Sequence, residues 1–359
     1  MKKKLTVIAY YLGQFHPIPE NNEFWGEGFT EWHNVARARP LFPGHAQPKV
    51  PGRFGFYDLR CSETLCEQMD YAREIGIEAF CFWHYWFAGK RLLHRPLDDM
   101  LSIERRDFRF ILGWANESWS GIWHGAANRV FVEQTYNLYE LAEHADLVSR
   151  YIESGRYLEI DGHFPFVIYK PRQIPNGAEY LGQLREHVSR RTGASLYLIG
   201  NWSPGLNFEF SDPGAYGLDA AVVTPIAAYF QNPTVSIGYR LLWRKLAQIG
   251  LGPEIRKYDS VMSTLERGMR SIKGQSHATV VAGWDNTPRS GRRGLVLSHY
   301  NEASFRRAAS AAFELESRNT MPLLFVKSWN EWAEGNTLEP IYRERWSAGA
   351  TLSEILRGE

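Results

Sequence analysis

Three glutamates lie in short stretches rich in tryptophan, where their carboxyl groups could cleave a glycosidic bond. Glu331 and Glu334 stand three residues apart in SWNEWAEGNTLEP, and Glu117 stands in WANESW. Cleavage needs one carboxyl group that protonates the leaving oxygen and a second that acts as nucleophile or base. Neighbouring indoles would raise the pKa of the glutamate that stays protonated. A lone glutamate is more often a cap or an ion-pair partner, but three beside tryptophans favour catalysis.

Asparagines precede two of these acids, and histidines are too scattered for a metal site. Asn116 precedes Glu117 and Asn330 precedes Glu331, so each acid has an adjacent amide that suits a sugar hydroxyl. No two histidines show the HxH or HExxH spacing of a zinc site. We therefore expect neither a metal nor a cofactor.

Short apolar runs that alternate with helical stretches would position these acids. Alternation of this kind indicates parallel βα units, and eight strands predict an α/β fold, a (β/α)8 TIM barrel. A doubly wound open sheet is the alternative, although no GxGxxG or P-loop pattern follows a strand. The predicted strands are 5–11, 77–86, 109–114, 165–170, 195–200, 219–224, 279–284 and 323–329, and the clearest helices are 62–76, 137–155 and 301–317.

Aromatic and polar residues cluster where the predicted strands end, which is the catalytic face of such a barrel. For Trp83, Trp86 and His84 the alternative is a role in the core, and for His16 it is a place on the surface. The residues predicted to bind substrate are Tyr11, His16, Trp25, Glu31, Trp32, His84, Tyr85, Trp86, Trp114, Asn116, Glu117, Trp119, Tyr169, Trp202, Trp284, Asn330 and Trp332.

Two long connections interrupt the regular alternation. Residues 12–60 follow the first strand and are rich in aromatic residues and proline, which favours a packed lid or substrate loop over disorder. Residues 239–274 are rich in arginine and lysine and are interpreted as a pair of solvated amphipathic helices. Because neither a repeat nor a low-complexity linker is present, we predict one domain over 1–359.

Composition narrows the class of partner and the compartment. Forty-one basic and 40 acidic residues leave a net charge of +1, which argues against a nucleic-acid or anionic-membrane binder. Aromatic residues make up 14% of the chain, with 13 tryptophans, and favour an oligosaccharide or polysaccharide partner. Three cysteines without metal spacing fit a reducing compartment. The start MKKKLTVIAYY has no cleavage site, and no run could span a bilayer, so we expect a cytoplasmic protein, with a peripheral position at the inner membrane as the alternative.

Four stretches of the chain resemble the WbsX-like proteins: YYLGQFHPIPENNEFWGEGFTEWHNVARARPLFPGHAQP, GIEAFCFWHYWF, ILGWANESW and KSWNEWAEGNTLEP. Those proteins belong with a group similar to glycoside hydrolase family 99 and occur in bacterial surface-polysaccharide gene clusters. Family 99 enzymes are (β/α)8 retaining endo-α-mannosidases that need no metal or cofactor. The resemblance covers nearly the whole chain and implies the same fold here.

The resemblance also implies roles for two glutamates. It makes Glu331 the base that deprotonates the sugar's 2-hydroxyl, whose oxygen attacks the anomeric carbon and gives a 1,2-anhydro sugar. Glu334 would then be the general acid for the leaving group and afterwards the base for water. Ala333 stands where family 99 tends to have histidine, so α-mannoside is not implied as the substrate.

We therefore expect a retaining glycoside hydrolase that acts on a bacterial polysaccharide or its oligosaccharide precursor. An ordinary nucleophile and acid pair, made by Glu117 and Glu331, remains an alternative for the chemistry. Alternative functions are a glycosyltransferase or transglycosylase of O-antigen, lipopolysaccharide or capsule biosynthesis, and a glycan-binding protein without catalysis. The absence of a DxD motif and of a Rossmann glycine turn ranks hydrolysis first.

Overall fold

A cylindrical sheet of eight parallel strands forms the centre of the computed structural model, which describes residues 4–104, 107–121, 126–202, 212–223, 245, 249 and 251–359. The strands are β1 (Thr6–Tyr11), β2 (Ala79–Phe87), β3 (Arg109–Trp114), β4 (His163–Ile168), β5 (Ser195–Trp202), β6 (Ala220–Val223), β7 (Gln275–His277 and Thr279–Val280) and β8 (Leu323–Val326).

The sheet closes on itself because β7 is divided into two segments. Gln275–His277 pairs in parallel with β6, and Thr279–Val280 pairs in parallel with β8. Every other neighbouring pair is also parallel, and β1 lies between β8 and β2. The chain is thus a single-domain α/β TIM barrel, as predicted, and the open doubly wound sheet is excluded.

Helices pack around this barrel and begin and end where local sequence dictates. Asn137 and Glu140 form a reciprocal capping box at the start of the helix Leu138–Glu153, and Asn301 and Ser304 do the same for the helix Glu302–Glu316. Gly193, with a φ of 73°, ends the helix Gly177–Thr192. The helices are α1 (Pro19–Trp25), α2 (Trp32–Arg37), α3 (Ser62–Glu74), α4 (Arg95–Ser102), α5 (Leu138–Glu153), α6 (Gly177–Thr192), α7 (Tyr258–Arg270), α8 (Thr287–Ser290), α9 (Glu302–Glu316) and α10 (Ala348–Arg357).

Alternation along the strands decides which side chains point into the barrel. Tyr10 on β1 points inward, where its ring stacks on Trp83 at 5.0 Å and its hydroxyl donates to Asn201 on β5 at 2.9 Å. Gly113 on β3 also faces inward, and a Cβ there would lie 2.9 Å from the Cys81 sulfur. The missing side chain leaves the interior space that Cys81 and Trp83 fill.

Four short strand pairs lie outside the eight barrel strands. Lys90–Leu92 pairs antiparallel with the end of β2, and Trp119–Gly121 pairs antiparallel with Ala126–Val132. Glu254–Lys257 pairs in parallel with Leu295–Ser298. Asn330–Glu331 and Asn336–Thr337 form a small hairpin directly after β8. These additions lie outside the eightfold pattern, and the sequence analysis did not predict them.

The two long connections have different outcomes. Residues 12–60 contain α1 and α2 and form an isolated antiparallel bridge through Pro51 to Ile341. Of the pair of solvated amphipathic helices predicted in 239–274, the one that falls within the described part of that segment, Tyr258–Arg270, is present and amphipathic. The described part of the segment also contains a strand, Glu254–Lys257, before this helix, α7, whose apolar face is buried. The rest of this predicted segment lies outside the described residues, and so does Thr224 at the end of the predicted sixth strand.

The helices within the described residues include none with the length and apolar character of a membrane span.

Candidate active site

One buried arginine at the C-terminal end of the barrel binds three glutamates. Arg289 donates from Nη2 to Glu331 Oε2 at 2.9 Å, from Nη1 to Glu334 Oε1 at 2.7 Å, and from Nε to Glu31 Oε2 at 3.1 Å. All four side chains are less than a tenth exposed. A planar guanidinium can serve several carboxylates at once, and here it holds Glu331 and Glu334 in one site.

Burial favours a protonated Glu334 in this cluster. Burial and the neighbouring Glu331 carboxylate raise the pKa of Glu334 to about 7, against the opposing charges of Arg289 and Lys327. The Lys327 ammonium lies 3.7 Å from Glu334 Oε2 and 5.5 Å from the centre of the Trp284 ring. With one proton on Glu334, the charges of Arg289, Lys327, Glu31 and Glu331 sum to zero.

Glu331 and Glu334 are carried by the hairpin after β8, whose two faces differ. Directly opposed residues of an antiparallel pair project to the same face. Asn330 and Thr337 share the inner face, where Asn330 exchanges hydrogen bonds with the Leu12 backbone and Thr337 donates to the Trp329 carbonyl. Glu331 therefore projects from the other face.

Asn336 is the residue opposite Glu331 in this hairpin. Its side chain is fully buried, yet neither carboxamide atom has a hydrogen-bond partner within the described part of the chain. An unpaired amide in an apolar environment costs on the order of 1–3 kcal/mol. This amide thus stands beside a reactive glutamate with unused hydrogen-bonding capacity.

A further buried carboxylate, that of Glu339, binds residues on both sides of the hairpin. It accepts from the indoles of Trp329 at 2.9 Å and Trp332 at 2.5 Å, from Gln68 on α3 at 2.6 Å, and from the Tyr57 hydroxyl at 3.0 Å. Burial raises the pKa of Glu339 to about 7 in spite of these donors. The network fixes both sides of the segment that bears Glu331 and Glu334.

Asp285, at the end of the β7 region, anchors the short helix that presents Arg289. Its Oδ1 accepts from the backbone and hydroxyl of Thr287, the first residue of α8, at 3.0 and 2.6 Å. Its Oδ2 accepts from His45 Nε2 and Gln47 Nε2, both at 2.7 Å. The Asp285 backbone N–H also donates to the Glu334 carbonyl at 2.7 Å. One carboxylate therefore joins the long loop to the residues on either side of the reaction centre.

Half-buried aromatic rings and an ion pair line the other side of the barrel opening. Burial and the nearby Glu331 carboxylate raise the pKa of Tyr85, whose ring meets Trp119 edge-on at 4.9 Å. Burial and the nearby Glu117 and Glu334 carboxylates raise the pKa of Tyr169. Glu117 is ion-paired with Lys170. Tyr85, Trp119 and Tyr169 thus border the glutamate cluster.

Five predicted substrate contacts point away from this opening, because alternate residues of a strand face opposite sides. Tyr11 is buried against α3 and donates to Gln68 at 2.7 Å. His84 and Trp86 contact His144 on α5, at 3.1 Å between Nε2 atoms and 4.4 Å between ring centres. Burial lowers the pKa of His84 to about 3. Trp114 and Trp202, fully buried, also lie outside the barrel wall. The structure therefore places Tyr11, His84, Trp86, Trp114 and Trp202 away from the opening.

Two asparagine amides and one tryptophan, those of Asn116, Asn330 and Trp332, also bind other parts of the protein in this structure. Asn116 donates to the Lys170 carbonyl at 2.9 Å and accepts from the Lys170 N–H at 2.7 Å. Asn330 is fully buried against Leu12, and Trp332 is bound to Glu339. These amides hold loops in place, so they have no capacity left for a sugar hydroxyl.

The remaining predicted residues divide between the long loop and the site. His16 is buried near the Asp58 carboxylate. Trp25 is half-buried against Phe29 and Phe131, and Trp32 is half-buried against Phe56. Trp284 is buried beneath Lys327 at the site's edge. The structure therefore brings together Glu31, Tyr85, Glu117, Trp119, Tyr169, Trp284, Glu331 and Glu334.

Four polar residues of the site were not among those predicted to bind substrate, namely Lys170, Arg289, Lys327 and Asn336. Lys327 directly follows β8 and Lys170 is the second residue after β4, so position at a strand end was the available signal. Arg289 stands four residues beyond Asp285, in a helix too short to leave a periodic pattern. No group of three or more His, Cys, Asp or Glu side chains in the described ranges is arranged to hold a metal ion.

Solved structures of two other proteins superpose on this fold. The family 99 endo-alpha-mannosidase from Bacteroides thetaiotaomicron superposes with a TM-score of 0.60, over 98% of this chain and 95% of that one, at 15% sequence identity. A glycoside hydrolase-like protein superposes with a TM-score of 0.57, over 99% and 94%, also at 15% identity. At such low identity the similarity shows the fold alone.

Sequence comparison identifies the family. The uncharacterized protein WxcX from Xanthomonas campestris pv. campestris (strain B100) is 34% identical over 348 residues, which are 93% of this chain and 47% of that protein. The chain thus spans about half the length of the curated relatives it matches. A family model described as glycosyltransferase WbsX matches residues 7–347. The chain therefore belongs to the WbsX family.

Proposed function

We propose that this protein is a retaining glycoside hydrolase that acts on a bacterial polysaccharide or its oligosaccharide precursor. The observation that carries the proposal is the binding of Glu331 and Glu334 by one buried guanidinium, with the pKa of Glu334 raised to about 7. An acid with such a pKa can both hold and release a proton near neutral pH. The fold shared with family 99 enzymes supports the same assignment.

In the first step Glu331 is the base and Glu334 the acid. Arg289 occupies one oxygen of each carboxyl group, so Glu331 Oε1 and Glu334 Oε2 remain available for proton transfer. Glu331 takes the proton of the sugar's 2-hydroxyl, and that oxygen bonds to the anomeric carbon. The bond from the anomeric carbon to the leaving oxygen breaks as Glu334 protonates that oxygen. The products of this step are a 1,2-anhydro sugar and the shortened glycan.

In the second step the roles reverse. Glu334, now a carboxylate, takes a proton from water, and the water oxygen bonds to the anomeric carbon. The bond between the anomeric carbon and O2 breaks, and O2 recovers its proton from Glu331. Two inversions at the anomeric carbon give net retention, and both glutamates return to their starting protonation states.

The aromatic border supplies the sugar-binding surface in this scheme. Tyr85, Trp119 and Tyr169 are half-buried, so each keeps part of an apolar face toward the opening. The hydroxyls of Tyr85 and Tyr169 have no hydrogen-bond partner among the residues that the structure describes, which leaves them for sugar hydroxyls. Glu117, held by Lys170, is too well paired in the free protein to act as the main nucleophile.

A glycosyl-transfer reaction is the second candidate, and the description of the family as glycosyltransferase WbsX favours it. The same two steps would apply, with a sugar hydroxyl in place of water in the second step. Transfer and hydrolysis thus share the first step and differ only in the acceptor.

The test is incubation of the protein with the surface polysaccharide of its source organism in H2 18O, followed by mass spectrometry. Hydrolysis predicts fragments with 18O at new reducing ends, whereas transfer predicts longer chains without 18O. Glu331→Gln and Glu334→Gln should abolish both products, while Glu27→Gln, at an exposed loop position, should not. Glycan binding by the wild type without any product, under conditions in which the protein is folded, would overturn the proposed activity in favour of a binding protein.

A further inference from the structure

Each cation that contacts the site's glutamates is already paired. Arg289 binds Glu31, Glu331 and Glu334, and Lys170 binds Glu117. Lys327 lies near Glu334 and over the Trp284 ring. Within the described part of the chain, these three cations face four carboxyl groups. The cluster is therefore neutral when Glu334 is protonated and carries one negative charge when it is not.

Glu31 is a buried carboxylate that the proposed chemistry does not use. It belongs to the long loop, directly before α2, and its side chain is only 2% exposed. The two Nη atoms of Arg289 serve Glu331 and Glu334, and Glu31 takes the remaining Nε donor. Without Glu31, Arg289 would keep a donor and a larger share of its positive charge for an incoming group.

We propose that Glu31 sets the charge specificity of the site, so that the reacting sugar is uncharged and sugars with carboxylate or phosphate groups are refused. This inference rests on the proposed function and names its substrate class. Glu31 binds the guanidinium that also holds the two glutamates of the proposed chemistry, so it lowers the positive charge that Arg289 can offer an anionic sugar. An anionic sugar would add negative charge to a buried cluster in which each described cation is already paired.

Electrostatics fixes the direction and the minimum size of the effect. Charges a few ångströms apart in a partly buried site interact strongly enough to change an equilibrium by at least about tenfold. Glu31→Gln removes one negative charge, keeps the side-chain volume and leaves Arg289 a larger share of its positive charge, because a neutral amide binds Nε more weakly than a carboxylate. The ratio of affinity for an anionic sugar to affinity for its neutral counterpart should therefore rise about tenfold or more.

The experiment uses pairs of sugars that differ only at C6, glucose with glucuronic acid and galactose with galacturonic acid, in binding measurements by saturation-transfer NMR. A uronate-containing polysaccharide and its carboxyl-reduced form provide the same comparison for cleavage. Wild type, Glu31→Gln and the loop control Glu27→Gln are compared after thermal melting has shown each to be folded.

The inference is supported if the wild type binds the neutral member of each pair more tightly than the uronate. This preference should fall about tenfold in Glu31→Gln and stay unchanged in Glu27→Gln. Equal or tighter binding of the uronate by wild type would overturn the inference, and so would a neutral preference that Glu31→Gln leaves intact. Failure of every sugar and both polymers to bind or to be cleaved would instead overturn the proposed function. The two failures are therefore distinguishable.

Discussion

Replacing Arg289 by glutamine should shift the titration of Glu334 upward. Arg289 donates to Glu334 at 2.7 Å, and its charge opposes the rise that burial and Glu331 impose on the pKa of Glu334. Loss of that positive charge favours the protonated acid. The pKa of Glu334 should therefore move from about 7 to about 8 or above.

The magnitude follows from the geometry of the ion pair. Two unit charges about 4 Å apart attract by about 4 kcal/mol at an effective dielectric constant of about 20. Because one pKa unit corresponds to about 1.4 kcal/mol, the full effect would be about three units. Lys327 remains near Glu334, and the site relaxes after the substitution, so a shift of about one to two units is expected.

The assay needs no substrate. Glutamate labelled with 13C at the side-chain carboxyl is incorporated, and the Glu334 resonance is assigned by its absence in Glu334→Gln. Its chemical shift is followed from pH 5 to pH 10 in wild type, Arg289→Gln and Arg289→Lys. Arg289→Lys keeps the charge but loses the planar fork, so its titration should stay closer to that of wild type.

Two results would refute this reasoning. One is a folded Arg289→Gln variant in which Glu334 titrates within about 0.3 units of its wild-type midpoint. The other is a downward shift. Either result would mean that the guanidinium does not set the proton affinity of Glu334.

Three further predictions concern residues that support the site. Asn336→Ala should lower kcat/KM about tenfold, the value of one or two hydrogen bonds, with an unchanged melting temperature, and a loss below about twofold would show that the amide does not reach the substrate. Asp285→Asn should cost about 2–4 kcal/mol in urea unfolding, because one amide cannot accept from both Thr287 and His45, and an unaltered midpoint would contradict this. Because Glu339 has a folded pKa of about 7, above its unfolded value, its contribution to stability is present at pH 4 and lost as the pH rises through about 7. Glu339→Gln should therefore flatten the decline in wild-type stability, by up to about 3 kcal/mol between pH 4.5 and pH 7.5 in urea titrations, and an equal decline in the variant would exclude Glu339 as its source.

The barrel was predictable because apolar runs and helical periodicity are local properties of the sequence. Eight runs became eight strands, and the three clearest helices lie within two residues of their predicted ends. The positions of Glu331 and Glu334 at the catalytic end followed from the strand that precedes them. Both results depend on patterns within short segments of the sequence, and those segments form the same strands and helices in the folded protein.

The direction of each strand-end side chain was not predictable in the same way. His84 and Trp86 look as suitable for sugar binding as Trp83 and Tyr85, but a shift of one residue turns a strand side chain to the opposite face. After Trp83, His84 and Trp86 face α5, whereas Tyr85 faces the opening. Which of the alternate residues face the opening cannot be read from the sequence, because it is fixed by how β2 pairs with β1 and β3.

Arg289 illustrates the other limit. Its partners Glu31, Glu331 and Glu334 are distant in the chain, and only closure of the barrel brings them together. Glu31 was expected to contact substrate, whereas its carboxylate is bound to Arg289. Long-range ion pairs of this kind leave no spacing signal that a single sequence could reveal.

The most direct test of the central claim is rapid mixing of a 2,4-dinitrophenyl glycoside of the released sugar with wild type, Glu331→Gln and Glu334→Gln at high enzyme concentration. Dinitrophenolate needs no protonation to leave, so the first step with this substrate requires the base but not the acid. The account predicts a stoichiometric burst of dinitrophenolate from Glu334→Gln and none from Glu331→Gln, although neither variant cleaves the polysaccharide. A burst from Glu331→Gln, or retention of polysaccharide cleavage by either variant, would contradict it.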